Sequence, residues 1–172
     1  GDGTFAANCL LARRLAERGV RFIQLYHRDW DHHGGVKDQI AGTAKDVDGP
    51  CAALIRDLKQ RCLLDRTLVS CCGEFGLTPI VEVREKCKIG RNHHIDAYTL
   101  MMAGGGLPPG HVVGGTDEFG FSPVGDHANV HDVQATLLHL LGLNHEKLTY
   151  RFMGRDFRLT DVAGRVIKPL VS

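Results

Sequence analysis

Asp29, Asp31, His32 and His33 fall within the stretch RDWDHHGG (28–35), directly after the apolar run VRFIQLY. Carboxylate oxygens and imidazole nitrogens are the donors that a borderline divalent ion such as Zn2+ or Mn2+ takes from a protein. On an extended loop, residues i and i+2 point the same way. Asp31 and His33 therefore share a centre, while His32 faces elsewhere. The bland alternative is a hydrated His-rich turn.

Three further polar clusters accompany this one. Glu74 stands in GEFG, where a glycine on each side lets the backbone turn sharply and frees the carboxylate to project from a sheet edge. His93 and His94 in GRNHHID resemble a ligand pair by composition. Adjacent histidines seldom bind one ion together, so one would ligate and the other orient a substrate. Arg91, two residues before them, is either a contact for an anion or a surface charge. Asp126, His127, His131 and Asp132 surround the start of the last long helix, where Asp132 reads as a cap or dipole partner. GGGLPPG lacks the GxGxxG spacing and reads as a turn, and GEFG lacks the serine of a nucleophile elbow.

The elements that must position these residues follow from periodicity. Thr4 caps a predicted helix over 5–18 that Gly19 stops. VRFIQLY (20–26) predicts a buried strand on its β-branched and aromatic content, and 27–36 a loop. Pro50 marks the start of a second helix through CAALIRDLKQRCLL. Strands are predicted at 67–72 and 98–103, a polar loop from Thr78 to His94, and a short edge strand at HVVGG. An amphipathic helix is predicted over 130–142, and loop plus a short hairpin beyond residue 150. Helices alternating with buried strands predict an α/β domain over 1–172, with a mainly parallel sheet flanked by helices. Ligands gather beyond the carboxyl ends of such strands, which is where the polar clusters would converge.

Composition is that of a globular chain: 43% hydrophobic, 24% charged, net charge +1 over 172 residues. That balance offers no electrostatic footprint for nucleic acid, and no apolar run approaches the roughly 20 residues of a membrane span. The six cysteines form no CxxC pair and read as buried thiols rather than a disulfide framework. The opening GDGTFAAN, without an initiator Met, predicts a fragment or processed product.

The stretches ARRLAERGVRFIQLYHRDWDHHGG, LLDRTLVSCCGEFGLTP, GRNHHIDAYTLMMAGGGL and HDVQATLLHLLGLNHEKLTYRFMGRDFRLTD resemble the C-terminal half of a bacterial family catalogued as domain of unknown function 1501, abundant in planctomycetes. The resemblance implies a sulfatase-like member of the alkaline phosphatase superfamily with an alkaline-phosphatase-like fold. It implies a hydrolase of phosphate or sulfate esters, acting on a small-molecule or glycan ester with a divalent metal (Zn, Mn or Ca). By the same resemblance Asp31, His33, Glu74 and His94 (or His93) are metal ligands, and Arg91 and His93 contact substrate. The nucleophile is expected upstream of Gly1. Phe75, Leu77 and Asn92 depart from the family pattern, which leaves open a degenerate domain that binds without turnover. An export signal is common in the family, which implies a periplasmic or secreted location.

Overall fold

A computed structural model describes residues 3–171, apart from the side chain of Glu85. Helix α1 (Phe5–Glu17) begins where Thr4 Oγ1 accepts the Ala7 N–H at 3.1 Å and ends as Gly19 turns with φ +80°. Helix α2 (Val36–Gln60) lies against it. The seam buries Cys9, Ala12 and Leu58. Arg13, itself buried, donates from Nε to Asp57 at 2.8 Å, and Arg61 donates to Glu17 at 3.0 Å. Helix α2 starts 14 residues before Pro50 and runs through it. A proline N cannot donate, so the helix loses one internal hydrogen bond there; the expectation that Pro50 marks its first turn is corrected.

Strand β1 (Leu68–Cys71) pairs antiparallel with β4 (Met101–Gly104), Leu68 facing Gly104 and Cys71 facing Met101. Between them β2 (Gly76–Glu85) and β3 (Lys88–His94) form an antiparallel hairpin. In its register Leu77 faces His93 and Val81 faces Arg91, so β2 carries two extra residues across that interval. The Thr78 hydroxyl stabilises this bulge by donating to Ile80 O and accepting from Asn92 N–H.

The predicted α/β architecture with a mainly parallel, helix-flanked sheet is overturned. Among the described residues there are four sheets, each of two antiparallel strands. The run 20–26 forms no strand, and Phe22 and Tyr26 in it are 70% and 81% exposed. A strand needs a partner ladder for its N–H and C=O groups, and among the described residues β1 and β4 find one only in each other. Residues 78–94, read as a polar loop, are mostly the β2–β3 hairpin.

Contacts divide the chain into two compact units, residues 1–105 with 119–121, and residues 106–118 with 122–172. The second unit holds β5 (Gly115–Thr116) paired with β6 (Pro123–Val124), helix α3 (Val130–Leu140), the hairpin β7 (Thr149–Phe152) and β8 (Arg155–Arg158), and the short α4 (Lys168–Val171). Of the predicted edge strand HVVGG, only Gly115 lies in a strand. Helix α3 opens on a capping box: Asn129 Oδ1 accepts from Asp132 N–H at 3.1 Å, and Asp132 accepts from Asn129 N–H at 3.1 Å. Buried Asp132 also takes the Arg165 N–H at 2.7 Å, and Thr136 Oγ1 takes the Ile167 N–H at 2.9 Å. These bonds tie the C-terminal segment to α3. No helix among the described residues is long and apolar enough to cross a membrane.

Candidate metal centre

The loop before α2 supplies the first donors. Asp29 sits in the left-handed region at φ +65°, which Asp tolerates better than most residues. Trp30 Nε1 donates to His27 Nδ1 at 3.0 Å, and the His27 ring packs edge-on against Phe5 of α1. Beyond this turn the loop meets β3, where Arg91 N–H donates to His32 O at 3.0 Å. The approach is closest at Gly90, where an added Cβ would stand 2.0 Å from the His33 carbonyl carbon. Only glycine fits there.

This approach brings Asp31, His33 and His93 together. Asp31 Oδ1 lies 3.0 Å from His33 Nε2 and 2.9 Å from His93 Nε2. One donor atom from each residue falls within 4.8 Å of the others, making a group that could hold a metal ion. The His93 hydrogen bond holds the Asp31 carboxyl below its ordinary value against the opposing desolvation, with smaller help from the His33, His93 and Arg84 charges. The side chains of Asp31 and His93 are 59% and 42% exposed, so the group opens to solvent on one side. The Phe75 ring backs His93 with centroids 4.3 Å apart.

His33 is held from behind. Its Nδ1 lies 2.8 Å from Glu82 Oε2 on β2, and Arg84 Nε donates to the other Glu82 oxygen. Arg84 first and His33 second hold the Glu82 carboxyl below its ordinary value. Nothing local in the sequence marks Glu82, which is 49 residues from His33. The one available signal was its place in the alternating run IVEVRE.

The other expected site residues are placed differently. His94 is buried and turned to the opposite face of β3 from His93, as successive strand residues are. Its Nε2 lies 2.7 Å from Phe121 O. Glu74, exposed on the bend between β1 and β2, is outside the donor group. Arg91, expected to meet an anion, donates from Nη2 to Leu77 O at 2.8 Å and from Nε to Thr78 O, bracing the bulge. His32 is 2% exposed, and its Nε2 finds no hydrogen-bond partner among the described residues.

Over residues 1–171 the sequence matches the model of the family described as Protein of unknown function (DUF1501). The chain belongs to the DUF1501 family. No curated protein and no solved structure matches it. In this DUF1501 chain the donor group therefore stands on its own chemistry. Two imidazoles and one carboxylate form a donor set suited to Zn2+, Mn2+ or Fe2+. A tetrahedral ion with bonds of about 2.1 Å spaces its donors about 3.4 Å apart. The observed 2.9 and 3.0 Å need open by only about half an ångström.

Proposed function

We propose that this chain carries the cation-binding residues of a metal-dependent hydrolase of phosphate or sulfate esters, with Asp31, His33 and His93 as the ligands of one divalent ion. The observation that carries this reading is the convergence of an N2O donor set from two segments some 60 residues apart, with the Asp31–His93 pair 62 residues apart in sequence. Three protein ligands with an open side are the pattern of catalytic rather than structural ions. When bound, such an ion supplies Lewis-acid polarisation of an ester oxygen. The chain's own residues hold and orient: Asp31 supplies the negative charge, Phe75 fixes the His93 ring, and the exposed side admits the ester. No residue of the chain is assigned as nucleophile.

A second reading, a domain that binds an ester or polyanion without turnover, is favoured by Phe75, whose apolar ring, 4.3 Å from His93, offers the group no further donor. Titration with ZnCl2 and MnCl2, followed by assays with nitrophenyl phosphate and nitrocatechol sulfate, separates the two. Metal binding with turnover supports the hydrolase; metal binding without turnover supports the second reading; no saturable metal binding rejects the hydrolase.

A further inference from the structure

The cation reading gives His33 one nitrogen for the ion and leaves the other unexplained. The β2–β3 hairpin accounts for it. Glu82 faces Gly90 across the hairpin, and Gly90 is the residue whose backbone abuts His33, an added Cβ falling 2.1 Å from its carbonyl oxygen. With no side chain at residue 90, the Glu82 carboxylate reaches over β3 and takes His33 Nδ1 at 2.8 Å. Arg84, two residues along β2, fixes the second carboxylate oxygen. The His33 and Glu82 side chains are each 21% exposed, against 59% for Asp31, so this contact is the sheltered side of the site.

We propose that Glu82 is the positioning residue of the donor group: it accepts the His33 Nδ1 proton and thereby turns the Nε2 lone pair toward Asp31 and His93. A carboxylate behind a ligating imidazole fixes its tautomer and raises its basicity. Because the Glu82 carboxylate can only accept, it keeps a proton on Nδ1, and an ion entering between Nε2 and Asp31, 3.0 Å apart, takes the Nε2 lone pair in place of that contact. The bulge braced by Arg91 and Thr78 sets the register that puts residue 82, rather than its neighbours, opposite Gly90. Glu82 thus acts through His33 and does not itself touch the ion.

The inference rests on the cation-binding reading, and two measurements keep their failures apart. The first follows the ring nitrogens of His33 by long-range 1H–15N correlation at pH 8, without added metal. Nδ1 protonated in the wild type, with the proton moving toward Nε2 in Glu82→Gln, is expected. An unprotonated Nδ1 in the wild type overturns the proposal. The second measures Zn2+ affinity by titration calorimetry. Glu82→Gln should weaken binding by about 10–100-fold, and Arg84→Gln, at an exposed position that leaves the fold standing, should weaken it less and in the same direction. A change under threefold in Glu82→Gln, with Zn2+ bound by the wild type, overturns the positioning role. If the wild type binds no Zn2+, the cation reading falls, and the Nδ1 measurement alone decides what Glu82 does.

Discussion

Asp31→Asn is the sharpest perturbation of the donor group, because one oxygen of that residue meets both imidazoles at 2.9 and 3.0 Å. The substitution keeps the size and shape of the side chain and removes the group's only negative charge. A monovalent anion about 2.1 Å from a dication gains about 4 kcal/mol in a water-like dielectric, the appropriate limit for a side chain 59% exposed. The amide oxygen still offers a lone pair and recovers part of this. A net loss of about 1.5–3 kcal/mol remains, which is roughly 10–150-fold in dissociation constant. Calorimetric titration of wild type and Asp31→Asn with ZnCl2 at one ionic strength measures it, with circular dichroism showing that both are folded. Equal affinities, within a factor of three, would refute the claim that Asp31 ligates the ion. Whatever saturable binding then remained would have to be placed elsewhere.

Gly90→Ala should be damaging, since its Cβ meets backbone rather than a movable side chain. Relief of that clash costs about 1–3 kcal/mol, read by urea unfolding, together with weaker Zn2+ binding as the loop is pushed from β3. The Asp57 carboxyl is held below its ordinary value by Arg61 first and by Arg13. Its contribution to stability is therefore present above the unfolded carboxylate range and is lost as pH falls through the folded value. Melting curves should show Asp57→Asn less stable than wild type at pH 7, with the gap narrowing as pH falls below the ordinary carboxylate range; a gap independent of pH contradicts this. Burial, with a smaller push from Cys51, raises the Cys9 thiol to about 11 from 9.0, so at pH 8 about a hundredfold less thiolate is available. Timed iodoacetamide labelling read by mass spectrometry should find Cys62, Cys72 and Cys87, which are exposed, modified well before Cys9.

Where one segment's own residues decide, the sequence was readable. Helix α1 was expected over 5–18 and spans Phe5–Glu17, and α3 was expected over 130–142 and spans Val130–Leu140. In both, the cap and the 3.6-residue period lie in the same dozen residues. Strand β1 lies within its expected span for a related reason, a short β-branched run bounded by turns. The pairing of Asp31 with His33 needed only the two-residue repeat of extended chain. Helix α2 was legible only from Pro50 onward, because Gly42 and Gly49 interrupt the pattern before it. The hairpin β2–β3 was hidden by Pro79, by its bulge and by the charged run EVREKCK.

The amino-acid sequence by itself determined the family, through a match along residues 1–171, and the capped helices and the Asp-x-His pair, which depend on residues within a few turns of chain. Tertiary structure alone decided that VRFIQLY stays outside any sheet, that β1 and β4 run antiparallel, and that His93 rather than His94 faces Asp31. It alone also placed Glu82 behind His33. Strand partners and converging side chains are set by where distant backbone can approach, and here that approach is permitted by the missing side chain of Gly90.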